Sequence, residues 1–88
     1  MQTRQVVVGN PHGLHLRVAS RVVKLVQSHG ARVRLVGGDE READARSVLD
    51  LLTLGANRGE SLRVEAEGPD EVQVADRLED LLSDGAGI

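Results

Sequence analysis

The sequence predicts an α+β fold, an open-faced β-sandwich in which three helices cover one face of a four-stranded antiparallel sheet. Three observations predict this fold. Four segments have strand patterns and three have the apolar spacing of amphipathic helices. These segments follow one another in the order β-α-β-β-α-β-α. The alternating strands each have a single apolar face, which is typical of a sheet that is buried on one side only.

The length and composition predict one small folded domain. The 88 residues are too few for two hydrophobic cores, so residues 1–88 are expected to form a single domain with a frayed tail at 84–88. An apolar fraction of 40% with 28% charged residues is that of a folded chain rather than a disordered one. Because Phe, Tyr and Trp are absent, the core has to be built from Val, Leu and Ala.

The composition also excludes several function classes. A chain without aromatic residues and with a net charge of −3 offers neither stacking platforms nor a basic surface for nucleic acid. The absence of cysteine excludes disulfides, and nothing requires an oxidising compartment. The apolar run near the N-terminus has three residues, too few for a signal peptide or a membrane span. A cytoplasmic protein without membrane insertion is therefore expected.

The first strand and the first helix are separated by a cluster of turn residues. Residues 3–8 are predicted to form a strand because they contain the β-branched run Val6-Val7-Val8, which stops at Gly9–Gly13. From Val18 onwards the apolar spacing becomes helical, and Gly30 is expected to follow the end of the helix as its C′ residue. The apolar stripe comprises Val18, Ala19, Val22, Val23 and Val26.

A hairpin is predicted next. Residues 31–36 alternate between apolar and polar side chains, with Ala31, Val33 and Leu35 on one face. The turn residues Gly37-Gly38-Asp39 follow, and residues 40–45 are expected to return as a short strand.

The second half of the chain predicts a helix, a strand and a last helix. Ser47 is a suitable N-cap for a short helix that ends before Gly55. Residues 60–67 alternate strongly and predict a strand. Gly68-Pro69-Asp70 then introduces a helix whose predicted apolar positions are Val72, Val74, Ala75, Leu78, Leu81 and Leu82.

The start of the first helix is a candidate anion site. His15 lies between the glycine-rich loop and the helix, close to the cap position. The positive end of a helix disfavours an imidazolium, so a neutral ring with a nucleophilic nitrogen is expected there. Such a nitrogen beside free backbone N–H groups and a guanidinium can accept a phosphoryl group. The N–H groups are those of Leu16, Arg17 and Val18, and the guanidinium is that of Arg17.

Simpler interpretations of these residues stay open on spacing alone. His15 can be only a capping or packing residue, and Arg17 a solvated charge. His12 and His15 can form a metal pair, although no carboxylate or thiol lies beside them to complete a site. His29 can be a surface residue that compensates the dipole at a helix C-terminus, and Ser47 can be an N-cap without any further role.

Three segments resemble the HPr family, the histidine-containing phosphocarrier proteins of the bacterial phosphoenolpyruvate-dependent sugar phosphotransferase system. Gly13-Leu14-His15-Leu16-Arg17-Val18-Ala19 is similar to the family motif Gly-Leu-His-x-Arg-Pro-Ala. Residues 47–55 resemble the family's Ser-led second helix, and residues 59–71 its last strand and the start of its third helix. The resemblance extends over residues 2–84.

The resemblance implies a phosphocarrier rather than an enzyme. By this resemblance, enzyme I would phosphorylate His15 on Nδ1, and His15 would then pass the phosphoryl group to sugar-permease components. Arg17 would neutralise the phosphoryl group, and a serine kinase/phosphorylase would act on Ser47 in some bacteria. No cofactor and no metal are expected, and the chain is expected to be a monomer. Exposed apolar residues of the second helix, Leu49 and Leu52, would contribute to partner docking.

One residue of the motif departs from the family, and two alternative functions remain. Val18 stands where the family has proline. Compared with proline, valine adds an N–H donor and loosens the entry to the helix. The first alternative is an HPr-like regulatory module in carbon or nitrogen signalling. The second is a small ligand-binding or oligomerising α+β domain in which His15 is only a cap.

Overall fold

The computed structural model describes residues 1–84 and has the predicted element order and fold class. Its strands are β1 (Gln2–Val7), β2 (Arg32–Val36), β3 (Glu42–Asp44) and β4 (Ser61–Glu67). Its helices are α1 (Leu16–Gln27), α2 (Val48–Leu54) and α3 (Glu71–Asp84). Asp84, the first residue of the tail expected to fray, belongs to α3, and residues 85–88 of that tail lie outside the described residues.

The four strands form one antiparallel sheet in the order β1-β4-β2-β3. Leu35 of β2 lies opposite Val64 of β4 on one side and Ala43 of β3 on the other. Val6 of β1 lies opposite Leu62. Because side chains alternate along each strand, this register places most apolar residues of the four strands on the same face. Val7 and Val36, which lie opposite Ser61 and Arg63 of β4, are on the other face.

The helices cover that face and complete an aliphatic core. The buried apolar residues other than Val36 form one cluster with contributions from every helix and strand, and its largest fully buried side chains are Leu and Val. In the helices and strands the members are Val6, Val18, Ala19, Val22, Val26, Val33, Leu35, Ala43, Leu51, Leu54, Leu62, Val64, Ala66, Val74, Ala75, Leu78 and Leu82. The predicted alternation is confirmed for β4 and for residues 32–35 of β2, whereas Val36 at the end of β2 is also buried, with 2% of its surface exposed.

Two predicted details of the helices are wrong. Helix α1 ends at Gln27 with Ser28 as its C-cap, two residues before Gly30, because the Ser28 N–H and hydroxyl both donate to the Leu25 carbonyl. Gly30 instead donates its N–H to the Asp70 carboxylate at 2.8 Å. Val72 was expected on the buried stripe of α3, but it lies at the first turn of that helix with 51% of its surface exposed.

The other face of the sheet has a network of ion pairs across three strands. Glu65 of β4 accepts hydrogen bonds from Arg63 at 2.8 Å and from Arg34 of β2 at 2.7 Å. Arg34 also contacts Glu42 of β3 at 2.8 Å. The hydrogen bond from Arg63, together with the charge of Arg34, holds the pKa of Glu65 below its usual value. The side of the sheet that the helices do not cover is thus mostly polar, as the strand patterns predict, and Val7 and Val36 are its apolar residues within the four strands.

Candidate functional site

The structure places His15 at the N-cap of α1. Its backbone is extended, with φ −92° and ψ 178°, and its carbonyl accepts the first intrahelical hydrogen bond, from Ala19, at 2.9 Å. The N–H groups of residues 16–18 precede that bond and have no intrahelical carbonyl to donate to. One of them, the Arg17 N–H, donates to His15 Nδ1 at 3.3 Å. The imidazole therefore acts as the side-chain cap of the helix.

The two ring nitrogens of His15 have different surroundings. Nδ1 accepts the Arg17 N–H on the exposed side of the ring, whereas Nε2 is buried and has no hydrogen-bond partner within residues 1–84. Since a neutral imidazole has one donor and one acceptor nitrogen, the bond to Nδ1 assigns the proton to Nε2. Nδ1 thus carries a lone pair at the positive end of a 12-residue helix, and this atom can act as a nucleophile.

The loop that delivers His15 is attached to two other segments of the chain. The Gly9 N–H donates to the Leu82 carbonyl in α3 at 3.0 Å. The Leu14 N–H donates to the Ala56 carbonyl, just after α2, at 2.8 Å. The site is therefore assembled from the first loop, the end of α2 and the C-terminal end of α3.

Two glycines permit these close approaches. A Cβ on Gly9 would overlap the carbonyl oxygen of Ser83. Gly13 has a φ of +70°, and its Cβ would lie 2.5 Å from the Ala56 carbonyl oxygen. In the sequence these residues are recognisable only as turn formers, because no local pattern signals contacts to residues more than 40 positions away. They are the positioning residues that sequence reasoning missed.

A second histidine lies beside the first. The buried Asn10 side chain accepts the His12 N–H at 3.0 Å, and the Asn10 carbonyl accepts the Gly13 N–H at 3.0 Å. This turn holds the exposed His12 ring edge-on to His15, with ring centroids 5.9 Å apart and an interplanar angle of 77°. Within residues 1–84 no three His, Asp or Glu side chains are arranged to hold a metal ion.

Arg17 and several apolar side chains complete the surface at the start of α1. Arg17 is exposed, and in the described part of the chain its guanidinium has no hydrogen-bond or salt-bridge partner. Leu16 beside it is 60% exposed. In α2, which packs against α1, Leu49 and Leu52 are also exposed, as expected from the sequence.

Ser47 is the N-cap of α2, as its position in the sequence predicts. Its backbone is extended, and its hydroxyl accepts the Asp50 N–H at 3.1 Å. The Asp50 carboxylate in the first turn accepts the Asp44 N–H at 3.3 Å. The hydroxyl therefore lies at a helix N-terminus that already carries one negative charge.

The chain matches known phosphocarrier proteins over almost its whole length. A family model described as "PTS HPr component phosphorylation site" matches residues 2–84. The phosphocarrier protein HPr of Haloferax volcanii is 41% identical over 81 residues, covering 91% of each chain. The phosphocarrier protein NPr of Klebsiella oxytoca is 36% identical over 74 residues, covering 83% of this chain and 82% of that protein.

The fold matches as well. The crystal structure of HPr-C-His from Thermoanaerobacter tengcongensis superposes with a TM-score of 0.91 at 26% identity, covering 100% of this chain and 98% of the other. None of the helices described in residues 1–84 is long and apolar enough to cross a membrane. From the sequence match and the shared fold, this chain belongs to the HPr family of phosphotransferase-system phosphocarrier proteins.

Proposed function

We propose that the chain accepts a phosphoryl group on His15 Nδ1 from enzyme I, which is charged by phosphoenolpyruvate, and passes it to sugar-permease components. The observation that supports this proposal most strongly is the position of Nδ1. Its lone pair lies at the N-terminus of α1, beside backbone N–H groups that have no intrahelical partner. The carrier is proposed to act as a cytoplasmic monomer.

The proposed transfer needs only groups of this chain and the donor. The Nδ1 lone pair attacks phosphorus, the new N–P bond forms, and the bond to the donor breaks with its electron pair leaving on the donor. The Arg17 N–H, released from Nδ1, then donates to a phosphoryl oxygen. The N–H groups of Leu16 and Val18 are available for the remaining negative charge, as is the guanidinium of Arg17, which has no partner within residues 1–84.

Labelling with phosphoenolpyruvate and enzyme I tests the acceptor. The wild-type chain should acquire a phosphate that is lost in acid and kept in alkali, as a phosphoramidate on histidine requires. His15→Asn is the sharpest variant, because asparagine is a good N-cap but has no nucleophilic ring nitrogen. It should fold and take up no label. Label on a folded His15→Asn protein would overturn the proposal.

A second candidate function is a nitrogen-related phosphorelay. It is favoured by the likeness to the NPr proteins, which are 36–39% identical to this chain over more than 80% of its length. Phosphorylation rates with two donors separate the candidates, one being the enzyme I that serves sugar-transport HPr and the other the enzyme I that serves NPr. A faster reaction with the second donor would assign the chain to the nitrogen-related branch.

Ser47 is proposed as a regulatory site for a serine kinase/phosphorylase. Its hydroxyl sits at the N-terminus of α2, where the helix dipole tolerates a phosphate. The added charge of roughly −1.5 to −2 would change the surface next to the exposed Leu49 without removing a buried contact. Docking of an acidic partner is the step that this charge should weaken.

A further inference from the structure

We propose that His15 keeps its proton on Nε2 while Nδ1 carries the phosphoryl group, so that the chain holds this group as an N-phosphoimidazolium. This inference rests on the proposed function of His15 and deepens it, because it gives a role to the ring nitrogen that does not bond to phosphorus. Within residues 1–84, Nε2 of His15 is the one buried side-chain nitrogen or oxygen without a hydrogen-bond partner. Such atoms are rare in folded proteins.

The atoms and charges of the transfer balance without any proton transfer at the ring. Before the reaction the neutral ring has its proton on Nε2 and a lone pair on Nδ1. When the lone pair forms the N–P bond, the ring becomes a cation that still has this proton, and the attached phosphoryl group is an anion. When an acceptor attacks phosphorus, the electron pair of the N–P bond returns to Nδ1 and restores the same neutral ring.

Loss of the Nε2 proton would make the phosphoryl group harder to pass on. A ring without this proton would have to leave phosphorus as an imidazolate anion, which is a much poorer leaving group than a neutral imidazole. Retention of the proton therefore keeps the phosphoryl group transferable, and a carrier has to release the group as readily as it accepts it.

The surroundings of Nε2 favour retention of its proton. A proton leaves an N–H group through a hydrogen bond to an acceptor, and the buried Nε2 has no acceptor within residues 1–84. Loss of the proton would bring no compensating hydrogen bond, since the same buried atom would become an acceptor without a donor. The cationic ring is not an isolated buried charge, because the phosphoryl group bonded to it supplies the opposite charge.

The fold keeps Nε2 buried when the phosphoryl group is added. Because Nδ1 already lies on the exposed side of the ring, the group can bind there without a rotation that would expose Nε2. The His15 N–H donates to the Gly13 carbonyl at 3.0 Å, and the His15 carbonyl accepts the Ala19 N–H at 2.9 Å. The Leu14 N–H donates to the Ala56 carbonyl at 2.8 Å. These bonds oppose the local opening that would let water reach Nε2.

NMR spectroscopy of the chain with isotopically labelled histidine-ring nitrogens tests the proposal. The protein is phosphorylated with phosphoenolpyruvate and enzyme I and is kept at pH 8, where the phosphoramidate survives. A signal from the Nε2–H group of His15 is expected both before and after phosphorylation. Exchange of this proton with water should be slower by about tenfold or more in the folded phosphorylated chain than in the same chain unfolded in urea.

The other two histidines serve as controls in the same sample. The exposed His12 ring should give no N–H signal because its protons exchange rapidly with water. His12→Gln and His29→Gln leave His15 unchanged, and the signals that each variant loses assign the remaining ones to His15.

The outcomes distinguish this inference from the proposed function. A chemical shift of an unprotonated Nε2 in the folded, phosphorylated chain would overturn the inference while leaving His15 as the acceptor. Exchange of the Nε2 proton at the same rate in the folded chain and in urea would also overturn it. A chain that takes up no phosphoryl group from enzyme I would instead refute the proposed function.

Discussion

At the scale of single residues, the candidate site combines a structural role and a chemical role in the same side chain. His15 Nδ1 caps α1 through the Arg17 N–H, and the same lone pair is the proposed nucleophile. This hydrogen bond is long, at 3.3 Å. The Arg17 N–H therefore loses little free energy when it donates to a phosphoryl oxygen instead of to Nδ1. Arg17, in contrast, has no structural partner in residues 1–84, and its charge is free to act on the phosphoryl group.

Arg17→Glu should therefore separate transfer from folding. An acidic side chain is favoured in the first turn of a helix, so the melting temperature should stay the same or rise slightly. The reversed charge should slow phosphorylation by enzyme I by roughly tenfold or more, since it replaces attraction to the phosphate by repulsion. Arg32→Glu, with the same change in net charge at the exposed first residue of β2, is the control. Equal rates for both variants would show that only net charge matters.

Gly13 should be intolerant of even one added methyl group. Gly13→Ala combines a φ of +70° with a collision at the Ala56 carbonyl, so we expect a loss of stability of more than about 1 kcal/mol and a slower transfer. Gly38→Ala serves as the control because a Cβ on Gly38 meets nothing within 4 Å. Denaturant titration of both variants checks the prediction, and an unchanged Gly13→Ala midpoint would contradict it.

At the scale of elements, the two helix N-termini behave differently although both have a side-chain cap. The first turn of α1 has no acidic residue, whereas Asp50 occupies the first turn of α2. The partial positive charge at the N-terminus of α1 is therefore available to bind an anion, whereas Asp50 partly neutralises the same charge at the N-terminus of α2. This contrast is consistent with a phosphoryl acceptor on the first helix and with a weaker preference for phosphate on the second.

Val18→Pro tests the departure from the family motif. Val18 is the third residue of α1, before the first intrahelical N–H, so proline removes no helical hydrogen bond. Its side chain is 1% exposed, and the partial loss of that packing offsets the gain of about 0.4 to 1 kcal/mol from a stiffer unfolded chain. We expect a melting temperature close to the wild type's. Slower transfer at unchanged stability would show that the Val18 N–H contacts the phosphoryl group, and unfolding would refute the assignment of residue 18 to the first turn.

Ser47 variants separate capping from regulation. Ser47→Ala removes the acceptor for the Asp50 N–H and should lower the free energy of unfolding by about 0.5 to 2 kcal/mol. Ser47→Asp retains an acceptor and should be more stable than Ser47→Ala, although repulsion from Asp50 limits the gain. If the added charge weakens docking, Ser47→Asp slows phosphorylation of His15 and Ser47→Ala does not. Equal transfer rates in both variants would contradict a regulatory role.

At the scale of the whole molecule, the sequence predicts the elements better than the contacts between them. Alternation in β2 and β4, the Ser47 cap and Gly55, which adopts a φ of +60°, are local signals, and the elements that they predict are present. The anchoring of Gly9 on the end of α3 and the bond between Gly30 and Asp70 join distant residues and have no local signal. The His15 position could be predicted because capping is local, whereas the orientation of its ring depends on the folded loop.

The ion pairs on the open face of the sheet connect three strands and should make stability depend on pH. Glu65 is central to them, with 14% of its side chain exposed and two arginine partners. Its pKa is held below the usual value in the folded chain, so its contribution is present at neutral pH and is lost as the pH falls through that lowered pKa. The contribution is about 1 kcal/mol or less, because such pairs are screened by solvent.

Glu65→Gln should therefore be less stable than the wild type at pH 7, and the difference should disappear on acidification to about pH 3 or below. Glu67→Gln is the matched control, since Glu67 points to the same face of β4 and forms no ion pair within residues 1–84. Denaturant titrations of the three proteins from pH 7 to pH 3 measure the effect, and added salt at pH 7 should reduce it. A destabilisation of Glu65→Gln that persisted unchanged at pH 3 would mean that Glu65 stabilises the sheet through packing rather than through its charge.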